Sequence, residues 1–318
     1  SRPHASDPFE RRVFAGSMSQ QYHGVQTDPT RAALNLLSSP SSIANRVSYF
    51  FDLQGPSVAV DTMCSSSIVA IHMACDALRR GDCRAAIAGA VNVSLHPQKF
   101  VGLSAGGFSG TSPDSTSFSD GDGYLPSEAV GAVLLKPLAK AQADHDQILA
   151  VIKSTAINHS GKSNGYRVPS IAAQIDLYTR NYEKSGIDPK TIGYVEAAAN
   201  GSALGDSMEL AALKRVFGKP ASDQDMCALG SVKANIGHAE AASGISQLAK
   251  VIMQMREACF VPTLINGELN PKLEFADTPF YFPDRVTAWP QPVDHPRRAA
   301  IHAICAGGTN AHLILEEA

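Results

Sequence analysis

Short apolar runs alternate with stretches of helical periodicity along most of the chain. Strands are predicted where small and β-branched apolar residues cluster, at residues 12–18, 56–61, 85–93, 129–135, 148–158, 192–196 and 228–232. The C-terminal segment IHAICAGGTNAHLILEE predicts two short strands around a glycine-rich turn. Residues 1–10 are polar without a period and predict a loose end.

Helices are predicted between these strands. After residue 61, four apolar residues fall on one helical face and Gly81 supplies a C-terminal stop; the four are Ile68, Ile71, Cys75 and Leu78. Further helices are predicted at 172–184, before Gly186, and at 206–217. A loop followed by a long helix is predicted in KANIGHAEAASGISQLAKVIMQM.

Two passages share the plan of strand, small polar turn and long helix. They are AVDTMCSSSIVAIHMAC and LGSVKANIGHAEAASGISQLAKVI. Such a repeat indicates an internally duplicated, layered α/β fold, although periodicity alone leaves a single unduplicated sheet equally open.

Composition is typical of a well-buried globular enzyme. The 318 residues are 44% apolar and 18% charged, with a net charge of −3. Basic residues cluster in nothing larger than a pair, which argues against a surface for nucleic acid or anionic membranes. No apolar run reaches the length of a membrane span, and the first 30 residues lack a signal-peptide pattern.

The six cysteines show no zinc-like spacing. We expect free thiols in a reducing cytosol rather than disulfides, most of them buried as small apolar side chains. Cys64 is the exception, because it lies between a buried strand and the first turn of a helix. That setting is typical of a nucleophile elbow, in which the helix N-terminus would lower the pKa of the thiol. A buried structural cysteine is the alternative.

Two further segments carry candidate chemistry. His238 follows Gly237 at the predicted start of the second long helix, five residues after Lys233. The imidazole could donate to a carbonyl oxygen in its neutral form, or it could be an ordinary helix-cap histidine. The turn at residues 306–310 could present backbone N–H groups to a substrate oxygen, or it could be a simple tight hairpin. Its members are Ala306, Gly307, Gly308, Thr309 and Asn310.

The segment VEAAANGSALGDSMEL, residues 195–210, has the outline of a catalytic loop without a titratable centre. Asp206 is predicted to cap the following helix, with Glu209 three positions on. Gly201 and Gly205 permit a tight turn before it. The middle of the loop, AAAN, offers no base, acid or metal ligand.

Together these segments resemble the β-ketoacyl synthase domain of modular polyketide synthases, within the thiolase superfamily. The resemblance is carried by VDTMCSSS, SVKANIGHAEAASG and CAGGTNAHLILEE, in this order, and it covers nearly the whole chain. The segments AINHSGKSNGYRVPS and DGDGYLPSEAVGAVLLKPL are most similar to the branch served by free-standing acyltransferases.

The resemblance implies an α/β thiolase fold, a duplicated five-layered α/β/α/β/α sandwich, with its halves at about 1–155 and 156–318. Because the family begins well upstream of this chain, it also implies that the front section of the first half is absent. A homodimer in the cytoplasm is expected, without a bound cofactor or metal. Acyl chains would arrive on the phosphopantetheine arm of an acyl carrier protein, next to neighbouring synthase domains.

The resemblance also assigns roles within the site. Cys64 matches the cysteine that takes the acyl chain, His238 the second histidine and Lys233 the accompanying lysine. The first histidine belongs to a loop usually read E-A-H-G-T-G-T, and Ala198 stands at its position. A second departure is Ala303-Ile304-Cys305, where the family usually has S-F-G.

These matches predict a ketosynthase that transfers acyl chains through a Cys64 thioester without adding carbons. Thioester exchange needs the cysteine and one oxyanion site, whereas decarboxylative condensation also needs both histidines. One alternative is an elongating synthase in which Asn200 or His159 replaces the missing histidine. The other is a silent dimer or docking scaffold, which the intact VDTMCSSS segment disfavours.

Overall fold

A computed structural model describes residues 11–18, 38–220, 222 and 225–318. The predicted loose end at 1–10 lies outside these ranges. The strands are β1 (Arg11–Gly16), β2 (Ser57–Val60), β3 (Ala85–Asn92), β4 (Ala129–Leu135), β5 (Val151–His159), β6 (Tyr194–Glu196), β7 (Cys227–Gly230), β8 (Cys259–Phe260), β9 (Phe280–Tyr281), β10 (Thr287–Ala288), β11 (Arg298–Ile304) and β12 (Thr309–Glu316). The helices are α1 (Ser41–Phe50), α2 (Ser66–Arg79), α3 (Gln98–Ala105), α4 (Leu138–Ala143), α5 (Ile171–Ser185), α6 (Ala203–Phe217), α7 (Lys233–Ile236) and α8 (Ser243–Arg256).

Most strands of the described ranges belong to two mixed sheets. The first sheet has the order β2-β1-β3-β4 and the second has the order β5-β12-β11-β6-β7-β9. In the first, β1 runs parallel to β2 and β3, while β4 is antiparallel to β3. In the second, β6 runs parallel to β7 and β11, while β12 is antiparallel to β11.

The two sheets therefore repeat one connectivity. The chain passes through β1, β2, α2, β3 and β4 in one half and through β6, β7, α8, β11 and β12 in the other. The predicted duplication is confirmed by this repeat. The approximate boundary at 155/156 stays a prediction, and β5 spans that position while pairing with β12.

Five layers result from the way helices cover these sheets. Helices α2 and α8 pack against each other between the sheets, α1 packs on β1 and β2, and α5 packs on β5 and β12 beside α6. Alternate strand residues show the two faces of each sheet. Phe14 joins the central core, whereas Val13 packs with Ala44 of α1. Tyr194 likewise joins the central core, whereas Val195 packs in the outer core with α5 and α6.

Most predicted elements are confirmed, and their boundaries show where local sequence was insufficient. The predicted helix at 206–217 begins earlier, because Ser202 caps it by accepting the N–H of Gly205 through its side chain. The prediction that Asp206 is the cap was therefore wrong. Helices α1, α3 and α4 were not predicted; α1 buries only Ala44 and Ser48 and so lacks a clear apolar stripe.

None of the helices in the described part of the chain combines the length and apolar content that a membrane span needs.

Candidate active site

Cys64 lies in a tight turn between β2 and α2. Residues Met63–Ser65 form one 3₁₀ turn, and Met63 has a φ of 55°, a left-handed conformation uncommon for a side-chain-bearing residue. The N–H of Met63 donates to Asp61 Oδ1 at 2.9 Å, and Ser66 Oγ donates to the carbonyl oxygen of Met63 at 2.6 Å. These bonds fix a sharp strand-to-helix turn that holds Cys64 at the end of the first sheet.

A cavity of about 230 Å³ opens above this turn and reaches across both halves of the fold. Cys64 and Ala198 both line it, as do Cys305 and Ala306 from the turn between β11 and β12. The remaining wall includes Met18, Met63, Leu103, Phe108, Asp122, Tyr124, Arg167, Asn200, Asp206, Glu209 and Ile304. The structure thus brings the Cys64 turn, the 195–210 loop and the start of the 306–310 turn to one cavity, whereas Lys233 and His238 do not line it.

Two carboxylates of α6 hold the loop that carries Ala198. Glu209 accepts the N–H groups of Ala198 and Ala199, at 2.8 and 3.0 Å. Asp206 accepts those of Asn200 and Gly201, at 3.0 and 3.2 Å. The acidic pair that suggested a helix cap therefore fixes the loop backbone instead, and the loop keeps a defined shape around a methyl side chain.

Asp206 accepts one further hydrogen bond and has a raised pKa. It also accepts the N–H of Phe118 at 2.9 Å. Burial raises the pKa of Asp206 to about 7, with the neighbouring charge of Glu209 adding to the effect and the backbone donors opposing it. A group that the sequence suggested only as a cap is thus a titratable member of the cavity wall.

His238 lies outside α8, in the loop that separates α7 from α8. It is almost fully buried, and its main chain bridges to residues 125 and 127 through two backbone hydrogen bonds. The prediction that His238 starts the long helix was wrong. Helix α7 ends at Gly237, whose φ is 78°, and α8 begins only at Ser243. The reason is tertiary: the loop is held by the 125–127 segment of the other half.

The protonation state of His238 follows from its surroundings. Its Nδ1 accepts the N–H of Glu240 at 3.0 Å, so a neutral ring carries its proton on Nε2. Burial, together with the positive charges of Lys233 and Lys99, lowers the pKa of His238 well below its usual value. The ring of Tyr124 stands edge-on at 4.6 Å. The neutral form agrees with the expectation from the sequence, and the role of His238 as a donor to a substrate oxygen stays a prediction.

A buried ionic cluster, which the sequence did not reveal, lies behind His238. Glu240 Oε1 accepts the hydroxyl of Tyr124 at 3.0 Å, and its Oε2 lies 2.5 Å from Lys99 Nζ. Lys99 also donates to Asn92 Oδ1 at 2.9 Å. These residues lie far apart in the sequence, and only the HAE order of residues 238–240 could have drawn attention to Glu240.

Lys233 is almost fully buried at the first position of α7. Burial lowers the pKa of Lys233, while the negative charges of Glu196, Glu209 and Cys64 oppose that shift. Since Lys233 influences both Cys64 and His238, it connects the two predicted site residues electrostatically. Its placement agrees with the predicted association of these three residues.

The thiol of Cys64 differs from the prediction in its electrostatics. The pKa of Cys64 is raised to about 12, mainly by burial, with the charges of Cys305 and Glu240 adding to the rise and that of Lys233 opposing it. The prediction of a lowered pKa was therefore wrong. The physical reason is desolvation: a sulfur enclosed by protein loses the hydration that stabilises a thiolate, and the short helix turn does not compensate.

Only part of the predicted turn at 306–310 belongs to the cavity. Ala306 lines the cavity, whereas Gly307, Gly308, Thr309 and Asn310 do not. Asn310 is buried and its amide donates to the side-chain oxygens of Asn158 and Ser160. Within the part of the chain that the structure describes, neither the N–H of Ala306 nor that of Cys64 donates to another residue. The N–H of Cys64 instead bonds its own sulfur, which lowers the pKa of the thiol, and the N–H of Ala306 belongs to the same cavity wall.

The two duplicated halves, with a cysteine turn on one and a buried neutral histidine on the other, define a protein of the thiolase-fold class. The β-ketoacyl synthase N-terminal domain family matches residues 2–141, and the β-ketoacyl synthase C-terminal domain family matches residues 149–266. The chain belongs to the β-ketoacyl synthase family.

Similar proteins come from polyketide synthases. Polyketide synthase PksL of Bacillus subtilis is 46% identical over 96% of this chain, and ThaG of Burkholderia thailandensis is 47% identical over 96%. The oxazolomycin ketosynthase domain OzmH KS7 of Streptomyces albus superimposes with a TM-score of 0.91 at 46% identity over 97% of the chain. The ketosynthase from module 6 of the bacillaene synthase of B. subtilis gives 0.88 at 37%, also over 97%.

These matches confirm the expected thiolase fold. The chain spans 7% of PksL, 6% of ThaG, 56% of the OzmH structure and 54% of the bacillaene one. The chain therefore matches only part of the length of each of these proteins.

Proposed function

We propose that this chain is a condensation-incompetent ketosynthase that passes acyl chains from one acyl carrier protein to another through a thioester on Cys64. The observation that carries the proposal is the shared cavity of Cys64 and Ala198, with a methyl group at the position where the family places its first histidine. Lys233 acts on the thiol through its charge, and in the described part of the chain the N–H groups of Cys64 and Ala306 donate to no other residue.

The transfer step needs no reactant other than the acyl thioester of the carrier protein. Cys64 Sγ adds to the thioester carbonyl, the carbon–sulfur bond to the carrier arm breaks, and the departing arm takes up the proton that Cys64 loses. The N–H groups of Cys64 and Ala306 are placed to bind the oxyanion that forms in between. The reverse step delivers the chain to a second carrier protein. One thioester replaces another, so positioning rather than a driving force is required.

Condensation requires a second hydrogen-bond donor for the enolate oxygen, and the methyl group of Ala198 does not provide one. Loss of carbon dioxide from the extender leaves an enolate, whose oxygen the two histidines of the family would hold. Removing one such donor costs roughly 2.7–4 kcal/mol, or on the order of 10²–10³ in rate. In this chain His238 with its proton on Nε2 is one donor, and Ala198 supplies none.

Of the two residues that could replace the histidine, His159 is engaged elsewhere. It accepts the N–H of Gly161 on Nδ1, and its Nε2 lies 3.0 Å from the carbonyl oxygen of Gly307. Asn200 lines the cavity and accepts the N–H of Ser202 on Oδ1 at 3.1 Å, which leaves its amide nitrogen able to donate. The elongating alternative therefore rests on Asn200.

We further propose that the chain acts as a homodimer in the cytoplasm, among the domains of a synthase served by free-standing acyltransferases. Acyl carrier proteins would be its partners, and their phosphopantetheine arm would carry the substrate. The likeness to PksL and to the bacillaene ketosynthase supports this placement. No cofactor is required by the transfer step.

Intact-mass analysis tests the proposal. The protein is incubated with a short acyl carrier-protein thioester and then with a second carrier protein of different mass. We expect the acyl mass on Cys64, then on the second carrier, and no extension when malonyl carrier protein is supplied. Extension by the unmodified protein would overturn the proposal, and absence of acylation in a folded protein would favour a scaffold.

A pair of variants makes the test specific. Ala198→His should gain extension, whereas Asn200→His, which adds the same side chain two residues away in the same cavity, should not. Equal extension by both variants would show that the position at 198 is not the missing component.

A further inference from the structure

A second thiol shares the cavity with Cys64. All six cysteines lie in the described ranges, and each is a free thiol. Cys64 and Cys305 line the cavity, whereas the other four do not. Cys75, Cys83 and Cys227 are buried elsewhere, and Cys259 is partly exposed on β8. Two thiols from opposite halves of the fold therefore open onto one small space.

The turns that carry these thiols are in direct contact. A Cβ placed on Gly307 would lie 2.9 Å from the sulfur of Met63 and 3.6 Å from the sulfur of Cys305. Met63 immediately precedes Cys64, and Cys305 lies two residues before Gly307. Glycine at 307 thus lets the turn between β11 and β12 approach the cysteine turn closely.

Electrostatics indicates the same proximity. Among the charged groups that raise the pKa of Cys64, Cys305 has the largest effect, ahead of Glu240. An interaction between charges weakens with distance, so this order agrees with the contact between the two turns.

The environment of Cys305 suits a thiol that reacts through the cavity. Its side chain is 5% exposed, and its sulfur accepts the N–H of Thr309 at 3.2 Å. This hydrogen bond holds the sulfur of Cys305 in place at the cavity wall. The sequence shows Cys305 only as a departure from the usual S-F-G of the family, and nothing in the transfer reaction uses it.

We propose that Cys64 and Cys305 form a reversible disulfide across the cavity when a peroxide oxidises one of them. The sulfur of Cys64 attacks the peroxide through its thiolate, the minor form of this buried thiol at neutral pH, and leaves a sulfenic acid and one molecule of water or alcohol. The sulfur of Cys305 then displaces the hydroxyl as water, and the sulfur–sulfur bond forms. Two thiols lose two electrons and two protons, and the peroxide is reduced. A dithiol reductant restores both thiols by exchange.

The consequence rests on the proposed function: the disulfide removes the acyl-accepting thiol and closes the cavity while it persists. It also spares Cys64 from further oxidation to the sulfinic acid, which dithiols do not reverse. The disulfide-bonded protein would be an inactive form of the transferase in which Cys64 is protected from irreversible oxidation.

Treatment of the protein with hydrogen peroxide tests the inference. Free thiols are then alkylated under denaturing conditions, and the protein is digested without reduction. We expect the loss of two of the six free thiols and a cross-linked peptide pair that contains Cys64 and Cys305. Dithiothreitol should return both thiols. Absence of this peptide pair, with Cys64 oxidised or untouched, would overturn the inference.

Two variants control for nonspecific oxidation. Cys259→Ser removes a partly exposed thiol outside the cavity and should form the same cross-link. Cys305→Ser should give no cross-link, and its Cys64 should progress to an oxidised form that dithiothreitol does not reverse. Similar recovery of Cys64 with and without Cys305 would contradict the protective role.

Acylation of the reduced protein is measured in parallel. A cross-link without acylation would reject the proposed transfer function alone, whereas acylation without a cross-link would reject the disulfide alone.

Discussion

The backbone N–H of Ala198 donates to Glu209 Oε1 at 2.8 Å, although Glu209 lies two turns into helix α6. The second oxygen of the same carboxylate accepts the N–H of Ala199 at 3.0 Å. The loop is therefore shaped by its main chain and by α6, not by the side chain at 198. The form of the loop therefore does not depend on a hydrogen bond from the side chain at 198, which is a methyl group in this chain.

The substitution Glu209→Gln should destabilise the fold. The amide supplies one acceptor oxygen where the carboxylate supplies two, so one buried N–H of the loop loses its partner. We expect a loss of about 1–3 kcal/mol in the free energy of unfolding, measured by chemical denaturation. The control is Glu274→Gln, at an exposed carboxylate 3.8 Å from Lys214, which should change stability by less than about 0.5 kcal/mol. Equal effects would contradict the structural role of Glu209.

Because of Asp206, the free energy of unfolding should fall as the pH rises towards 7, the opposite of the usual effect of a carboxylate. Its folded pKa of about 7 lies above the model-peptide value of 3.8, so the folded state binds more protons between these values. The contribution of Asp206 is complete at low pH and is lost as the pH rises towards 7, with a limiting slope of about 1.4 kcal/mol per pH unit.

Asp206→Asn should remove this slope, as measured by unfolding at a series of pH values. Asp122→Asn provides the comparison, because hydrogen bonds from Thr111 lower the pKa of Asp122 and its contribution has the opposite sign. A slope that survives in Asp206→Asn would assign the pH dependence to another group.

Gly237→Ala should disturb the loop that carries His238. Residue 237 has a φ of 78°, and a Cβ there would lie 2.7 Å from the carbonyl oxygen of Leu125. That oxygen also accepts the N–H of His238, so the clash falls on a bond that positions the imidazole. We expect a loss of about 2–5 kcal/mol, from left-handed strain of about 1–2 kcal/mol and steric crowding of about 1–3 kcal/mol.

The matched control is Gly186→Ala at the end of α5. Residue 186 has a φ of 67°, but nothing lies within 4 Å of an added Cβ. Only the conformational strain of about 1–2 kcal/mol should appear. Thermal or chemical unfolding measures both variants, and similar losses would show that crowding at Leu125 is unimportant.

The alkylation rate of Cys64 should rise with pH without a plateau near neutrality. Only the thiolate reacts, and with a pKa of about 12 its fraction grows roughly tenfold per pH unit across the accessible range. Glu240→Gln should speed the reaction, because it removes a charge that raises this pKa. Lys233→Met should slow it, because it removes the charge that lowers the pKa. A plateau between about pH 7 and pH 9 would contradict the burial argument.

Local patterns predicted much of the fold. The strand at 129–135 is observed at those residues, and α2 and α5 are confirmed with boundaries shifted by only a few residues. The motif around Cys64 predicted a strand-to-helix turn correctly, since the turn depends on neighbouring residues. The duplicated plan was visible for the same reason.

Contacts between distant segments decided the rest. The start of α6, the loop position of His238 and the buried cluster of Tyr124, Glu240 and Lys99 all depend on partners from elsewhere in the chain. No window of sequence contains both members of such a pair, so no periodicity can reveal it.

The sequence by itself determined which chemical groups are present: a cysteine at a strand-to-helix turn, a histidine at residue 238 and an alanine at residue 198. Only the tertiary structure decided that Cys64, Ala198 and Cys305 share one cavity, and that enclosure raises rather than lowers the pKa of the Cys64 thiol. The reason is physical. Side-chain identity is a local property, whereas desolvation depends on every segment that packs around a group.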